Sequence, residues 1–425
     1  MTVPLVQPLP TQASQKLRAS IDEVTADEHR LPGVVFAAAN KNGKLLFAHA
    51  SGKRGIDTTE PMTLNSIFWI ASCTKLITAI AALQLVEQGK LHLDDADEAE
   101  KLCPELKAVK ILKGFEDDNS SKPVWQEKKN RITLRMCLSH TAGFGYSFFN
   151  NEIRRLGLPA GVDEFSAQFE DVLKVPITFE PSTDWRYGTS LDWAGIMVER
   201  ASGLSLDQYF KQHVFEPLGV ANASFFPTSE MRSNLAYMHQ RNTDGKIIGR
   251  EHLNYRPINA EPKEQASMFC SGGGGLYTKP TEYLKILSAL LNHGTSAETS
   301  KQILKPETVD LLFSNQIPNM PNFGRVPIAG AKPSLSNPIP ELYPQPHDQP
   351  QGWAFAGINT IYPSFTGRGK DGIHWAGLAN LFWWVDREKG VAGMIASQIL
   401  PFNDVELGGL WVASESAIYQ ALAET

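Results

Sequence analysis

Apolar residues recur at helical spacing over 12–30, where Leu17, Ile21, Val24 and His29 would share one face, so the chain opens on an amphipathic helix. The segment "GVVFAAANKNGKLLFAHASG" then reads as two strands, 33–40 and 44–50, around the turn Asn40-Lys41-Asn42-Gly43. From Ser72 to Gln88 the pattern is helical and apolar on nearly every face, with Gly89 placed to end it. Such a helix belongs in the middle of a protein. The stretch 90–260 is mixed and largely helical: "TLRMCLSHT", "SLDWAGIMVERASG" and "SLDQYFKQHVFEPLG" carry helical periods, with Ser190 and Ser205 placed as caps.

A glycine-rich turn, "SGGGGLY", feeds a further helix at 280–292. Residues 318–350 hold nine prolines and few periodic apolar positions, which predicts a long irregular loop of the kind that covers or binds something. Strand-like runs follow at 353–361, 372–376, 379–386 and 391–398, the last three spaced as an antiparallel meander, and a final helix spans 404–423. There is no internal repeat. The order predicts one α/β domain built from both chain ends, 1–75 and 260–425, around an inserted all-helical domain, 76–259.

Composition narrows the class without naming it. At 425 residues the chain is too long for one small core. Hydrophobic content of 42% and charged content of 20% are ordinary for a folded enzyme, and a net charge of −6 with no basic run leaves no footprint for nucleic acid. No uninterrupted apolar run reaches the roughly 18 residues of a membrane span. The first twenty residues lack the basic and apolar regions of a secretory signal. Cys73, Cys103, Cys137 and Cys270 form no CxxC pair and no ligand cluster, so the expectation is reduced thiols, a cytoplasmic location, no metal and no cofactor.

The chemistry concentrates in "FWIASCTKLITAIAALQLVEQGK", residues 68–90, where Ser72 and Lys75 head the most apolar helix. A lysine is costly to desolvate, so either this helix end is exposed or the amine is buried to serve as a base. Positions three apart share a helix face, so the amine can reach the hydroxyl, and burial would lower its pKa toward neutrality. Ser72 would then attack a carbonyl carbon and form an acyl-enzyme, beside a helix N-terminus that favours the oxyanion. In "EPSTDWRYGTSLDWAG", Tyr187 sits between a turn and a helix, where it is either a core tyrosine or a phenol aimed into a cleft. In "DGIHWAGLANLFWWVDREKG", Trp375-Ala376-Gly377-Leu378 lie on an edge-like strand whose small residues would let a carbonyl approach, with Leu378 N–H joining Ser72 N–H as oxyanion donors. Phe144, Tyr146, Phe148 and Phe149 cluster just after His140, as core or as the lining of an acyl or alcohol pocket. His140 itself reads as structural, Gly272–Gly275 as a tight turn rather than a nucleotide loop, and no Gly-x-Ser-x-Gly elbow occurs.

Together, Ser72-x-x-Lys75, Tyr187, Trp375-Ala376-Gly377 and "ITLRMCLSHTAGF" resemble the serine β-lactamase and penicillin-binding-protein fold. The resemblance is greater to its ester-cleaving and acyl-transferring branch, the class C-like family VIII esterases and the fungal statin side-chain acyltransferases. It covers nearly the whole chain and implies an antiparallel sheet flanked by helices with a helical insertion. It also implies Ser72 as nucleophile, Lys75 as its proton acceptor and Tyr187 as a second relay, with Trp375, Ala376, Gly377, Tyr146 and Phe144 at the substrate. Where the lactamases carry Lys-Thr-Gly this chain has Trp375-Ala376-Gly377, and their Tyr-x-Asn becomes Tyr187-Gly188-Thr189. Both changes remove polar groups that would hold a carboxylated amide and favour neutral esters. The implied partner is a small ester or thioester, with water, an alcohol acceptor or an acyl-carrier donor completing the reaction. A β-lactamase or D-alanyl peptidase, or a silent binding relative, are the alternatives.

Overall fold

The structure is a computed structural model that describes residues 3–117, 119 and 121–424. Seven strands form its central sheet: β1 (Gly33–Asn40), β2 (Leu45–Gly52), β3 (Gly352–Trp353), β4 (Ile358–Thr360), β5 (Gly372–Gly377), β6 (Leu381–Asp386) and β7 (Val391–Ala396). Their order is β3-β4-β5-β6-β7-β1-β2, and every neighbouring pair is antiparallel. The junction of β1 with β7 sets Asn40 opposite Val391, so strands from the two ends of the chain form one sheet.

Both faces of that sheet are covered, which is why β1 is buried at every position. Side chains alternate across a strand. Val34, Phe36 and Ala38 of β1 therefore pack in one core with Leu17 and Ile21 of α1 (Thr11–Thr25) and Leu407, Leu410 and Ile418 of α5 (Val405–Ala423). Val35, Ala37 and Ala39 face the larger core, which includes α4 (Pro280–Leu291). Between the sheet and the helical region runs α2 (Thr74–Glu87), whose residues Thr74 through Leu85 are all buried, and it packs on α3 (Ser190–Ser202).

The meander over 372–396 and the helices at 280–291 and 405–423 follow the periodicity. Four readings change. The segment 76–259 is helix-rich rather than all-helical, since Lys110–Phe115 pairs with Pro123–Glu127 as a hairpin and short strands lie at 223–224, 239–241 and 247–249. The first helix stops at Thr25, so His29 lies outside it. The run 353–361 is a hairpin of β3 and β4, because Ala356 turns the chain at φ 77° and Ala354 N–H donates to Gly357 C=O at 2.8 Å. Thr189, not Ser190, precedes α3, whereas Ser205 does cap its helix through a reciprocal box with Gln208. The proline-rich stretch is irregular as expected, pinned by Ile328 pairing with Ile339. All four cysteines are buried and free, and no helix among the described residues is long and apolar enough to cross a membrane.

Candidate active site

Leaving the short strand Phe68–Trp69, the chain turns at Ala71, whose φ of 44° lies in the left-handed region that a side chain disfavours. A single 3₁₀ turn, Ala71–Cys73, follows and presents Ser72 at the head of α2. Lys75 is one turn further on and fully buried. Its Nζ lies 3.1 Å from Ser72 Oγ, 3.0 Å from Tyr146 OH and 2.6 Å from Gly273 C=O. It also sits 4.7 Å from the centre of the Tyr187 ring. These hydrogen-bond partners are neutral oxygens. Burial therefore dominates and brings the amine down to about 7, against the opposing pull of the Asp192 carboxylate and the Cys73 thiol.

The glycine-rich turn reaches Lys75 because α2 anchors it. Thr78 Oγ1 donates to Gly272 C=O at 2.7 Å, and Leu276 N–H donates to Thr74 Oγ1 at 3.2 Å. Two buried threonines in an apolar helix are thereby satisfied. On its other side the turn grips Asp192, in the first turn of α3: Ser271 Oγ and Gly273 N–H donate to Asp192 Oδ1 at 2.6 and 3.0 Å. A Cβ on Gly273 would stand 2.5 Å from Asp192 Oδ2, so a larger residue would have to displace that carboxylate. Burial pushes the Asp192 carboxyl up, while Lys75 and these donors hold it back. Sequence reasoning missed Asp192. Its one trace was a lone acid within the apolar run Leu191–Val198, five residues after Tyr187.

Trp375 Nε1 donates to Tyr187 OH at 2.8 Å. Burial raises the phenol well above its usual range, opposed by hydrogen bonds to Ser72 and Trp375, so at neutral pH it keeps its proton. Gly188 next to it is obligatory, since a Cβ there would lie 2.2 Å from Phe144 C=O. His140 lies under the tyrosine, with ring centroids 4.7 Å apart, and its Nδ1 accepts from Gly188 N–H at 3.4 Å. Burial holds its imidazole well below the usual range, so the ring is neutral.

The strand carrying Trp375 is not at the sheet edge, because β3 and β4 lie outside it. Yet β4 begins only at Ile358, opposite His374, so Trp375–Gly377 run past their partner and stay open on that side. Gly377 lets the strand close on the turn that carries Ser72: a Cβ would be 2.6 Å from Ile70 C=O. As a result Ser72, Tyr187, Trp375, Ala376, Gly377 and Leu378 line one pocket, of about 30 Å³, which is room for about one water. Phe148 and Phe149 wall it, and Ile328, Ile339 and Leu342 of the proline-rich loop roof it. Phe144 does not reach this space; it is buried and stacked on Trp193 at 5.7 Å, facing α3. Tyr146 stands behind the pocket, stacked on Phe148, with its hydroxyl on Lys75. No cluster of metal-ligating side chains occurs among the described residues.

The beta-lactamase family profile matches residues 14–415. The chain belongs to the beta-lactamase family. Among its relatives in that family, a lovastatin esterase of Penicillium rubens is 30% identical over 395 residues, covering 90% of this chain and 92% of its own. A monacolin J acid methylbutanoyltransferase of Aspergillus terreus is 29% identical over 405 residues, covering 92% of each. In fold, a mutant simvastatin synthase from Aspergillus terreus superimposes with a TM-score of 0.81 at 27% identity, over 98% of this chain and 96% of that one. This beta-lactamase family member is an enzyme of the esterase and acyltransferase branch, one that works through an acyl-enzyme.

Proposed function

We propose that Ser72 is the nucleophile of a carboxylic-ester or thioester acyl transfer, with Lys75 as its general base. The observation that carries this reading is a lysine amine, buried with neutral partners, 3.1 Å from the Ser72 hydroxyl oxygen. As a neutral amine it donates its two N–H groups to Tyr146 OH and Gly273 C=O and accepts the Ser72 proton on its lone pair. The Ser72 Oγ–carbon bond forms as the carbonyl π pair moves to oxygen, where Ser72 N–H and Leu378 N–H receive it. Collapse breaks the bond to the leaving alkoxide or thiolate, which takes the proton back from Lys75 through Tyr187. Water or an alcohol then enters by the same path in reverse.

Trp375 holds Tyr187 in this path and offers an indole where a cation would grip a substrate carboxylate, which supports neutral esters. The relatives named for cleaving lovastatin and for methylbutanoyl transfer to monacolin J acid support a small acyl group on a bulky alcohol. The small, roofed pocket over Ser72 supports transfer to an alcohol alongside hydrolysis, since it limits water. Product analysis with p-nitrophenyl butyrate, with and without bulky alcohols, tests this. A burst of p-nitrophenol, a Ser72-linked butyryl group seen by mass spectrometry and butyryl esters of the added alcohols are expected. Turnover that persists in Ser72→Ala would overturn the assignment.

A further inference from the structure

A second cleft, of about 820 Å³, lies apart from the pocket over Ser72 and shares no lining residue with it. Its walls come from the segment 54–60, the chain from Arg232 to Met238, and the segment 250–259 with its short helix Tyr255–Asn259. That size suits a small molecule. Three arginines, Arg54, Arg232 and Arg250, line it in a chain whose net charge is −6.

Not all of that positive charge is cancelled. Arg54 pairs with Glu60 at 2.9 Å. Arg232 and Arg250 hydrogen-bond only neutral oxygens among the described residues. Arg232 donates to the Pro227 and Ile258 carbonyls at 3.4 and 3.2 Å and to Ser229 Oγ at 3.2 Å. Arg250 donates through Nε to the Glu251 carbonyl at 3.2 Å and through Nη1 to Gln240 Oε1 at 2.7 Å. These bonds fix the two guanidinium planes without neutralising them. Arg250 is half-buried, which works against its charge, and only the exposed Glu251 carboxylate opposes that. A cation drawn out of water without a paired acid is costly until an anion completes it.

The cleft also offers flat surface. The Tyr237 and Tyr255 side chains line it and are 51% and 54% exposed. Tyr237 is held in place: its hydroxyl donates to Glu60 Oε2 at 3.2 Å, and Gly55 lies so close that a Cβ there would stand 2.9 Å from the ring. A fixed ring with that much open surface can stack on a planar group.

We propose that this cleft binds a small phosphomonoester carried on a flat ring, with Arg250 and Arg232 on the phosphate and Tyr237 on the ring. Guanidinium forks match a phosphate's oxygens with paired N–H donors. A phosphomonoester brings about two negative charges at neutral pH, which suits two unpaired arginines better than a single carboxylate does. A nucleotide and a phosphorylated phenol share this chemistry. The proposal is independent of the Ser72 reading, because the two spaces have no residue in common.

Calorimetric titration of the full chain with adenosine monophosphate, phenyl phosphate, inorganic phosphate and benzoate tests it. At least one ring phosphate should bind about three- to tenfold more tightly than inorganic phosphate, and which one does so tells nucleotide from phenol. Benzoate should bind most weakly. Arg250→Gln should weaken every phosphate about tenfold, with folding checked by circular dichroism. Arg232→Gln, at an exposed position, should act in the same direction and decides the point if Arg250→Gln does not fold. Tyr237→Ala should remove the advantage of the ring and leave inorganic phosphate binding as it was. Absence of phosphate binding, undiminished affinity in both arginine variants, or benzoate equal to phenyl phosphate would each overturn the proposal. So would competition of the bound phosphate with p-nitrophenyl butyrate, which would put the anion over Ser72 instead.

Discussion

Lys75 concentrates the energetics of the site in one residue. Its amine is held at about 7 in the folded chain against 10.5 in an exposed lysine. Only the neutral form can take a proton, so kcat/KM for a short ester should rise with pH through an apparent pKa near 7 and then level. Lys75→Arg, which cannot deprotonate, should lose roughly 10²–10⁴-fold in kcat while remaining folded. The same shift is a statement about stability. Between about 7 and 10.5 the unfolded chain holds a proton at this position that the folded chain has released, so stability rises with pH there. Below 7 both states are protonated and the full cost of a buried ammonium is felt. Lys75→Met should therefore be more resistant to urea than the parent at pH 6, and that advantage should shrink toward pH 10. An advantage independent of pH would mean that the amine is not shifted. Asp192 supplies the charge that keeps Lys75 from falling further. Asp192→Asn, which preserves the shape, should move the acid limb of the rate profile to lower pH. A limb that stays in place would leave Asp192 as a merely structural acceptor.

At the scale of elements, the site is a meeting of short segments that close approach makes possible. The turn 271–276 docks on α2 through Thr74 and Thr78 and then holds Asp192 of α3. Gly273→Ala should push the carboxylate away, lowering kcat and costing about 1–3 kcal/mol of stability by overpacking. Circular dichroism melting beside ester turnover checks this, and an alanine variant with parent activity would show that the turn can yield. Much of this level was legible in the chain. The all-round apolar pattern of α2 announced a central helix, and the Ser72–Lys75 spacing on one face announced their contact. The aromatic cluster after His140 was visible too, but its division of labour was not. Phe148 and Phe149 wall the pocket, Tyr146 backs Lys75 and Phe144 is core. Four aromatics within six residues carry no periodicity that says which way each one faces, because the loop holding them has no repeat. Asp192 was hidden for a related reason, since a single acid on a helix does not disclose whether its face is wet.

Across the whole molecule, the sheet joins β1 to β7, and the pocket over Ser72 lies where β5 overruns β4 and meets the head of α2. The proline-rich loop closes this place from above with Ile339 and Leu342. Truncating both to alanine should admit water and raise the ratio of hydrolysis to alcohol transfer, measured as free acid against ester product. An unchanged ratio would make the roof irrelevant to partition. The local pattern alone determined that an apolar helix begins with a hydroxyl and an amine on one face, that strands lie at both ends of the chain and that an indole and two small residues follow one another in Trp375-Ala376-Gly377. Those are properties of neighbours in sequence, and backbone periodicity and side-chain chemistry suffice to read them. Only the tertiary structure decided that Gly273 bridges Lys75 and Asp192 and that Trp375 holds Tyr187. Each of these joins residues separated by tens to hundreds of positions, and such contacts follow from how layers pack rather than from any pattern along the chain.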